Sequence, residues 1–568
     1  MTSDRLIETI RRAVIGDNDV VDGPYGPRRV TYVDYTASGR SLTFIEDYIR
    51  EAVLPLYANT HTESSGTGLQ TSRFREESRE IIRRCVSADD SHAVLFCGSG
   101  ATAAINHLVA VLGIRIPSQL DDAHEFSRQL SSEDRPVIFI GPYEHHSNEL
   151  PWRESVADVV RIDEDEDGHI DLAHLERELV TYKNRAMKIG SFSAASNVTG
   201  IISDVRAVSI LLHKHGALSF WDFAAAAPYV SIEMSPVDDS PDGALNYKDA
   251  IFMSPHKFVG GPGTPGVLVA RKALFGNRVP ANPGGGTVAY VNSEKHRYLD
   301  DIERREEGGT PAIIESIRAG LVFQLKAAVG TEAIRINEEA FITRAIASWS
   351  RNPNIDILGN PQADRLSIVS FIIKYGDQHL HHNFVVAVLN DVFGIQSRGG
   401  CSCAGPYGHT LLGIGNEESS RYDQQVALGC EGIKPGWVRV NFNYFLSETV
   451  FQFIVDAVHL IANRAADLLP YYRFDAGTGL WLHTNPVRDP PLSLHDVEYE
   501  TGDMQYRHRR RQDRQSELVG YLEEATRIFD AAASSSPPPV PALTATQGFE
   551  TLRWFPLPGD VVAVSRDT

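Results

Sequence analysis

Met253-Ser254-Pro255-His256-Lys257 is the stretch that decides the fold, and a segment rich in glycine and proline, residues 260–266, follows it. The apolar run Ala250–Met253 predicts a buried strand, which delivers Lys257 into a turn too rich in glycine and proline to be a helix. A lysine placed there, beside a serine and a histidine that can hold an anion, suits Schiff-base chemistry next to a phosphate site. The alternative for Lys257 is a solvated surface lysine.

A carboxylate ends the predicted strand Leu218–Asp222, upstream of this turn. An acid at the end of a core strand is costly unless it meets a cation or a hydrogen-bond donor, and a protonated pyridine ring would be such a partner. Lysine and a buried acid together are what pyridoxal phosphate (PLP) requires, because the acid keeps the ring nitrogen protonated and the ring can then accept electrons. Asp222 could instead cap the next helix or pair with an arginine.

The composition limits the class of protein. The 568 residues predict two or three domains, and a hydrophobic content of 42% with 45 glycines and 30 prolines fits a soluble α/β protein. Lysine and arginine total 54 against 74 acidic residues, and the net charge of −20 argues against nucleic acid or an anionic membrane surface as a partner. No apolar run approaches the roughly 20 residues of a membrane-spanning helix, and residues 1–10 do not resemble a signal peptide. Five scattered cysteines do not make a disulfide scaffold, so we expect a cytoplasmic protein.

Strands and helices alternate through the first part of the chain. Between Asp158 and Gly216 the pattern predicts strand, helix, strand and helix, which means parallel strands joined by right-handed crossovers. Beyond Glu332 the pattern predicts a second, smaller α+β domain, and the composition shifts after Phe474. We therefore expect an N-terminal segment at 1–30, a large domain at 31–330, a small domain at 331–473 and an extension of unknown role at 474–568. Residues 15–30 can also pack on the small domain.

Two stretches of the extension have a biased composition. The basic run Arg507–Arg511 is typical of a solvated helix face. The serine and proline tract Ser534–Pro539 predicts a flexible or polyproline connector. Neither stretch is assigned a function.

An anion cradle is predicted where the strand Ala93–Cys97 meets the helix Ala103–Leu112. The residues between them, Gly98-Ser99-Gly100-Ala101-Thr102, form a tight glycine turn at the start of that helix. Free backbone N–H groups and the helix dipole converge at such a turn and favour a phosphate. An ordinary turn between a strand and a helix has the same look.

Further polar loops follow other predicted strands. Glu144-His145-His146-Ser147-Asn148 comes after the strand Pro136–Ile140, and Ser193–Gly200 comes after Met187–Phe192. Because open α/β sheets bind ligands beyond the carboxyl ends of their strands, these loops should converge on one crevice with Asp222. The two histidines could bind a metal, but no further histidine or cysteine has a helpful local spacing, so stacking on a cofactor ring is the better use. They could also be ordinary loop residues.

In this order the motifs resemble the class V aminotransferase family, and within it the branch of cysteine desulfurases and selenocysteine lyases. The resemblance extends from about Tyr32 to about Ala465. It rests on Tyr32-Val33-Asp34-Tyr35-Thr36-Ala37, Ser99-Gly100-Ala101-Thr102, Glu144-His145-His146-Ser147-Asn148, Ser196-Asn197-Val198-Thr199-Gly200, Asp222 with Ala226-Ala227-Pro228, Ser254 with His256-Lys257, Gly309-Thr310-Pro311, Arg398 with Cys403, and Arg439. Any one of these could occur by chance, but their joint order could hardly do so.

The resemblance implies a fold-type-I PLP enzyme, an α/β protein with a large domain around a mostly parallel sheet of the seven-stranded type and a small C-terminal α+β domain. It also implies a homodimer with active sites at the subunit interface. By motif, Lys257 would form the aldimine, Asp222 would face the pyridine nitrogen, His145 would stack on the ring and act in catalysis, and Asn197 would lie near the phenolic oxygen. Ala101, Thr102, Ser254 and His256 would hold the phosphate, with Thr310 from the partner subunit, while Arg398 and Arg439 would bind the substrate, Arg439 by its carboxylate.

The implied activity depends on Cys403. Family members carry the reactive cysteine in a loop that reads Arg-x-Gly-x-x-Cys-Ala-x-Pro, and Arg398–Pro406 fits that spacing with Cys403 in the reactive place. A thiol on a glycine-rich loop beside an arginine can form a thiolate and attack the sulfur of L-cysteine. The products would be alanine and a persulfide on Cys403, which a sulfur-acceptor protein could collect. Cys403 could instead be an inert structural thiol, and Cys401 could relay sulfur or be incidental.

Three positions depart from the family pattern. Ala225 stands where a glutamine usually donates to the phenolic oxygen, Tyr229 where many members have histidine, and Ala103 where an acid is common. Insertions near Arg115 and Tyr407 also lie outside the pattern. Two other hypotheses therefore stay open. One is a class V aminotransferase, epimerase or carbon–sulfur lyase that acts on another amino acid, and the other is a degenerate member that serves as a binding partner.

Overall fold

The computed structural model describes residues 2–60, 63–486, 492–507, 511–536, 538 and 546–564. Contacts between Cα atoms divide the chain into two compact units. The first contains the residues up to Ile15, Tyr35–Asn337 and Gln362–Leu366, and the second contains Gly16–Asp34, Glu338–Pro361 and the residues from Ser367 on. The domain boundaries expected from the sequence stay a prediction.

A seven-stranded sheet forms the centre of the first unit. In chain order its strands are β1 (His92–Cys97), β2 (Val137–Ile140), β3 (Asp158–Arg161), β4 (Lys188–Ser193), β5 (Leu218–Asp222), β6 (Ala250–Met253) and β7 (Gly266–Arg271). In space their order is β1-β7-β6-β5-β4-β2-β3. The pairs from β3 to β6 are parallel, whereas β7 is antiparallel to both β6 and β1. The mostly parallel α/β sheet predicted from the sequence is therefore confirmed.

Helices connect and cover these strands. Those of the first unit are Thr2–Ala13, Thr43–Tyr48, Gly66–Cys85, Gly100–Leu112, Ser118–His124, Phe126–Gln129, Leu150–Arg153, Leu172–Thr181, Val205–Lys214, Ile302–Glu306 and Ile313–Val329, and the next helix, Thr331–Trp349, contains the boundary at residues 337 and 338. Two crossover helices begin at aspartate caps, since Asp171 accepts from His174 N and Asp204 from Ala207 N, both at 2.9 Å. A short hairpin, Val288–Val291 with His296–Tyr298, completes this unit.

The core of the first unit lies against this sheet. The strands β2, β4 and β6 bury every residue, as expected for strands covered on both faces. Ala104, Ile105, Leu108 and Val109 of the helix Gly100–Leu112 pack in the same core. This packing holds the helix against the sheet. Its first residue, Gly100, therefore lies close to the end of β1 at Cys97.

Two carboxylates cover the outer edge of β1. Glu303 accepts from Val94 N at 2.8 Å, and Glu307 accepts from Phe96 N at 2.7 Å. The guanidinium of Arg79 lies 3.0 Å from Glu307 and also donates to the carbonyl oxygen of Val94. Glu303 and Glu307 are four residues apart, and the two amides that they accept from, at Val94 and Phe96, are two residues apart on the outer side of the strand. The backbone groups of an edge strand, which could otherwise pair with another chain, are therefore satisfied by side chains.

The second unit contains a five-stranded sheet. Its strands are β8 (Ile355–Ile357), β9 (Ile368–Tyr375), β10 (Gln378–His379), β11 (Arg398–Gly400) and β12 (Trp437–Asn441), in the spatial order β8-β9-β12-β11 with β10 paired to β9. The helices are His382–Phe393, Gly405–Leu411, Asn416–Ala427, Glu448–Arg464, Leu518–Ser534, Gln547–Leu552 and Pro558–Val564. Val20–Gly23 pairs with Gly26–Arg29, Thr31–Tyr32 with Ile395–Gln396, and Tyr472–Phe474 with Trp481–His483. The insertion near Tyr407 thus contains two helices that the sequence pattern does not predict.

The C-terminal extension supplies part of the core of the second unit. Leu518, Tyr521, Ala525 and Phe529 share one core with the helices His382–Phe393 and Glu448–Arg464. Phe549, Leu552 and Phe555 belong to the same core, and the rings of Trp481 and Phe384 lie 5.0 Å apart. The extension therefore forms a layer of the folded unit, a role that its composition does not predict. Residues 508–510 of the basic run, and residues 537 and 539 of the serine and proline tract, lie outside the described residues.

Across the described ranges, no helix combines the length and the apolar character needed to cross a membrane.

Candidate active site

The turn between β1 and the helix Gly100–Leu112 holds a backbone amide against a serine hydroxyl. Ala101 N donates to Ser254 Oγ at 2.8 Å. Gly100 has a φ of +57°, and a Cβ at this position would lie 2.9 Å from Ser254 Oγ. A residue with a side chain would therefore push the turn away from Ser254. The N–H groups and the dipole at the start of this helix favour an anion at the same place.

A second glycine fixes this turn from the side of β7. Gly266 lies opposite Cys97, and its N–H donates to Gly98 O at 3.0 Å. A Cβ on Gly266 would lie only 2.0 Å from Gly100 O. The antiparallel direction of β7 thus returns the chain to the turn soon after Lys257, and glycine is the residue that permits so close an approach.

A short chain of hydrogen bonds joins Thr102 to His145. Ser147 Oγ lies 2.6 Å from Thr102 Oγ1 and 3.0 Å from His145 Nδ1, and Ser147 N donates to that ring nitrogen at 3.1 Å. In the neutral imidazole this leaves the proton on Nε2. Ser147 is a residue to which the sequence assigns no role, although it lies in the same motif as His145. In the described part of the chain, no group of three or more metal-binding side chains is arranged around an ion site.

Glu144 ties the loop of His145 to the end of β4. Its carboxylate accepts hydrogen bonds from Ser193 N at 2.8 Å, Ser193 Oγ at 2.6 Å, Asn148 Nδ2 at 2.7 Å and Gly141 N at 3.2 Å. Burial raises the pKa of Glu144 to about 7, against the effect of the hydrogen bonds from Ser193 and Asn148 and with a smaller contribution from the charge of Asp222. The sequence signal for this residue is the same as for Asp222, an acid just after a buried strand.

Strands β5 and β6 bring the acid and the lysine to the same end of the sheet. Asp222 lies opposite Phe252 in the parallel register, and Lys257 ends the single 3₁₀ turn Pro255–Lys257 that follows β6. Asp222 is 5% exposed and accepts from Ala224 N at 2.8 Å. Burial raises the pKa of Asp222, while the N–H of Ala224 and the positive charge of Lys257 lower it. The two residues therefore act on each other electrostatically.

His256 precedes Lys257 and lies beside the turn at Gly100. Its Nε2 would lie 3.6 Å from a Cβ on Gly100, and its carbonyl oxygen accepts from Gly39 N at 2.8 Å. Burial and the neighbouring charge of Lys257 lower the pKa of His256 to about 4. The ring is therefore neutral near pH 7, with one nitrogen that donates and one that accepts.

The two other residues predicted from the first unit lie in different surroundings. Asn197 is buried in the loop after β4, where Ser196 Oγ accepts from the N–H groups of the second and third residues after it, each at 3.1 Å. Thr310 is exposed and accepts from Asn59 Nδ2 at 3.1 Å. It lines a cavity of 760 Å³ together with Ser99. The predicted place of Thr310 in the site of a partner subunit stays a prediction.

Arg398 and Arg439 lie opposite each other on β11 and β12 of the second unit. Arg439 is 2% exposed, and its Nη2 donates to Asp34 Oδ1 at 2.8 Å. Burial lowers the pKa of Arg439. The negative charge of Asp34 opposes this decrease, and the positive charge of Arg398 adds to it. Two guanidinium groups at paired positions suit an anion such as a carboxylate.

A tight turn carries the two cysteines of the predicted reactive loop. Ala404 N donates to Cys401 O at 3.0 Å, and the φ angles of Ser402 and Cys403 are +52° and +57°, the signs of a type I′ turn. Both central positions of such a turn favour glycine or asparagine, and each non-glycine residue there costs about 1–2 kcal/mol. The turn thus holds strained backbone at Cys403. Ser402 is buried, whereas both cysteines are half-buried.

The residues of the first unit suit PLP by their chemistry. A buried acid beside a lysine fits a basic ring nitrogen and a reactive aldehyde, and a glycine turn at a helix start fits a phosphate. The side-chain hydroxyls and imidazole available to that phosphate are those of Thr102, Ser254 and His256. At Gly100 a side chain would fill the space beside Ser254.

Comparison with known proteins gives a family and several relatives. Residues 31–416 match the family model described as Aminotransferase class-V. A probable cysteine desulfurase of Staphylococcus aureus (strain Mu50) is 27% identical over 401 residues, which cover 69% of this chain and 87% of that protein. A probable cysteine desulfurase of Staphylococcus epidermidis (strain ATCC 12228) is 27% identical over 403 residues, which cover 70% of this chain and 88% of that protein.

Two solved structures share the fold. The apo cysteine desulfurase from Thermococcus onnurineus NA1 has a TM-score of 0.60 and 23% sequence identity, and the match covers 76% of this chain and 95% of that one. The cysteine desulfurase CsdA from Escherichia coli, in its S-sulfonic acid form, has a TM-score of 0.58 and 21% identity, with 77% and 94% covered. At these identities the two structures bear on the fold.

Proposed function

Because the chain belongs to the class V aminotransferase family, whose members are PLP-dependent enzymes, we propose that it is a cysteine desulfurase-like enzyme. The reaction is cleavage of the carbon–sulfur bond of L-cysteine, with release of alanine and formation of a persulfide on Cys403. In balance, L-cysteine and the Cys403 thiol give L-alanine and the Cys403 persulfide, so no outside oxidant or reductant takes part. The names of the relatives at 27% identity support this choice of substrate.

The observation that carries the proposal is the electrostatic coupling of Asp222 and Lys257 at the ends of paired strands. When bound, PLP supplies an electron-accepting ring that stabilises negative charge at the substrate α-carbon. Asp222 holds the proton of the ring nitrogen, and its burial strengthens that hydrogen bond because water is excluded. Lys257 Nζ would remove and return the proton at the α-carbon, and His145 would help to hold the cofactor with an imidazole whose proton is on Nε2.

Four groups are proposed to hold the phosphate: the helix start at Ala101, the hydroxyls of Thr102 and Ser254, and His256. A neutral His256 donates one N–H and adds no charge, so the helix start carries the electrostatic part. Asn197 is proposed to contact the phenolic oxygen, where Ala225 leaves no amide to help it. The ring electronics of this enzyme should therefore differ from those of members that carry glutamine at that position.

The second unit is proposed to bind the substrate and supply the nucleophile. Arg439, oriented by Asp34, takes the substrate carboxylate through its planar fork, and Arg398 adds a second positive charge. The Cys403 thiolate attacks the substrate sulfur, the sulfur–sulfur bond forms, and the carbon–sulfur bond breaks. The strained turn limits the positions of the thiol and so favours a defined line of attack.

We further propose that the enzyme is a cytoplasmic homodimer in which Thr310 of one subunit completes the phosphate site of the other. The persulfide passes to a separate sulfur-acceptor protein. Residues 31–330 would form the cofactor-binding domain and residues 331–473 the small domain. Gel filtration with light scattering tests the dimer, and a Thr310→Ala change should weaken cofactor retention without altering the fold.

A turnover assay with L-cysteine and a reductant tests the function. The purified protein should be yellow, borohydride should leave the cofactor covalently attached at Lys257, and the assay should release sulfide and alanine in equal amounts. Cys403→Ser should abolish both products and keep the yellow colour. Cys430→Ser changes a half-buried cysteine outside the turn Cys401–Ala404, and this variant should keep the colour and still form sulfide and alanine.

Two results would overturn the proposal in different ways. A colourless protein that borohydride does not label would remove every PLP-dependent function and leave a binding role. Sulfide release that survives Cys403→Ser would instead indicate a carbon–sulfur lyase, because a lyase expels sulfur without a protein thiol.

A further inference from the structure

The turn Cys401–Ala404 carries two cysteines that are separated by one residue. Its hydrogen bond from Ala404 N to Cys401 O folds the backbone back on itself, with left-handed φ angles at Ser402 and Cys403. Two residues of extended chain span at most about 7 Å, and a turn shortens that distance. The Cα atoms of Cys401 and Cys403 therefore fall in the range of about 4.4–6.8 Å that disulfides use.

The environment of these thiols differs from that of two other cysteines, Cys97 and Cys85. Cys97 is buried in β1, and burial raises the pKa of its thiol far above the ordinary value. Cys85 donates to the carbonyl oxygen of Phe323 at 3.7 Å, and burial raises its pKa as well. Cys401 and Cys403 are both half-buried, on a loop that begins at the end of β11. Cys430 is half-buried as well but lies outside the turn, so the turn is the place where two half-buried cysteines stand two residues apart.

We propose that Cys401 is a resolving thiol that discharges the persulfide of Cys403, an inference that rests on the proposed function. The Cys401 thiolate attacks Cys403 Sγ. A Cys401–Cys403 sulfur–sulfur bond forms, and the bond from Cys403 Sγ to the outer sulfur breaks. The outer sulfur leaves as hydrosulfide with the electron pair and takes the proton that Cys401 gave up. Cys401 Sγ is oxidised, the outer sulfur is reduced, and Cys403 Sγ keeps the oxidation level that it has in the persulfide, so the step balances without another reagent.

The step gives the enzyme a second outcome for each turnover. When an acceptor protein takes the persulfide first, Cys401 stays reduced and the cycle continues. When no acceptor is present, Cys401 releases sulfide and closes a disulfide, which stops further turnover at Cys403. A small-molecule dithiol then reopens the disulfide by thiol–disulfide exchange. Sulfide release in the absence of an acceptor should therefore be limited to one equivalent per site unless a dithiol is added.

A single-turnover experiment on the full-length holoenzyme tests this. The protein is reduced, freed of reductant, mixed with one equivalent of L-cysteine under nitrogen, and the peptide that contains residues 401 and 403 is weighed by mass spectrometry. In the native protein we expect one equivalent of sulfide and a peptide lighter by two hydrogen atoms. In Cys401→Ser we expect no sulfide and a peptide heavier by one sulfur atom, with alanine formed in both. Cys430→Ser should behave as the native protein does.

The outcomes separate the inference from the function on which it rests. If the native protein keeps the extra sulfur and releases no sulfide, Cys401 does not resolve the persulfide and the inference is wrong, although the desulfurase function holds. If neither protein forms alanine while the cofactor is bound, the function itself fails and the inference fails with it. A second measurement needs no turnover: the thiol oxidant diamide should link residues 401 and 403 in the native protein and in Cys430→Ser but not in Cys401→Ser, and the absence of that link in the native protein would overturn the pairing.

Discussion

The two units of the protein hold their candidate reactive groups on different kinds of backbone. In the first unit, Asp222 ends a regular strand, Thr102 lies in the first turn of a helix, and Lys257 follows a strand by a few residues. In the turn before Thr102, the left-handed φ falls on a glycine, Gly100. In the second unit, Cys403 lies at a left-handed φ that its own side chain disfavours.

This difference separates positions fixed by regular structure from positions fixed by tertiary packing. A strand end needs only the sheet to locate it, so Asp222 and Lys257 are placed by main-chain pairing. A strained turn persists only where its surroundings hold it. The helix that follows the turn, Gly405–Leu411, is succeeded by Asn416–Ala427, which in turn contacts the C-terminal extension through Tyr422 OH and Leu552 O at 3.3 Å. The extension therefore packs against the part of the second unit that follows the turn.

The largest effect is expected for Lys257→Ala. If the first unit carries the chemistry, this change should lower turnover of L-cysteine by about 10⁴-fold or more. The reason is that the amine that bonds to the cofactor and moves the α-carbon proton is lost. Steady-state sulfide release and the absorbance of the bound cofactor are the measurements. Turnover within tenfold of the native protein would remove Lys257 from the mechanism. Lys183→Ala, at an exposed position of the same unit, serves as the control.

Removal of a ring from the extension should destabilise the second unit. Phe555 is fully buried, and its ring lies 4.6 Å from that of His381 and 5.1 Å from that of Phe474. Phe555→Ala should cost about 3–5 kcal/mol of unfolding free energy, since a buried aromatic side chain is lost and a cavity is left. Hydrogen exchange should localise the loss to the second unit. Leu494→Ala, at a position 90% exposed, should cost little, and equal costs for both changes would contradict the role of the extension in the core.

The buried acid of the first unit should make stability depend on pH. The pKa of Glu144 is raised from 4.5 to about 7, so the folded state binds a proton that the unfolded state has released between these values. Its contribution is fully present below pH 4.5 and is lost as the pH rises to about 7, a change of about 3 kcal/mol. Glu144→Gln should flatten this decline in denaturant titrations. The exposed control Glu176→Gln should keep the decline. If the unfolding free energy of both variants falls equally with pH, Glu144 is not the cause of the decline.

The smallest effects compare helix caps in the two units. Asp204→Ala removes one hydrogen bond to Ala207 N and should cost about 1 kcal/mol. Ser447→Ala removes a similar bond to Val450 N, and also the one that Ser447 Oγ donates to Gln515 Oε1 at 2.7 Å. We expect about 2 kcal/mol for this second change, because it also loosens the segment before the helix Leu518–Ser534. Denaturant midpoints measure both, and in a double-mutant cycle Gln515→Ala should account for the difference.

Much of the first unit follows from local sequence signals. Short apolar runs predicted the strands near Ala250 and Leu218, and the alternating pattern between Asp158 and Gly216 predicted the two crossover helices found there. The cost of an unpartnered acid at the end of a core strand also identified Asp222 as a candidate site residue. Such features depend on near neighbours in the chain, so a single sequence contains them.

What the sequence does not contain depends on distant contacts. The reversed direction of β7 is set by pairing with β1, more than a hundred residues away in the chain. Ser147 and Glu144 gain their roles from Thr102 and Ser193, which other elements supply. The extension contributes core residues such as Phe529, and its low-complexity tracts obscure that signal. The strain at Cys403 arises from a turn whose residues are not typical of that conformation.

The acids on the outer flank of β1 have a consequence for how copies of this protein can meet. Glu303 and Glu307 occupy the amides of Val94 and Phe96, so a neighbouring molecule finds no bare row of donors along which to add a strand. Polymers that grow by continuous sheet extension are thereby closed off at this flank. Subunits that associate at this flank must do so through side-chain contacts. Such contacts, unlike an open sheet edge, can give an oligomer with a fixed number of subunits.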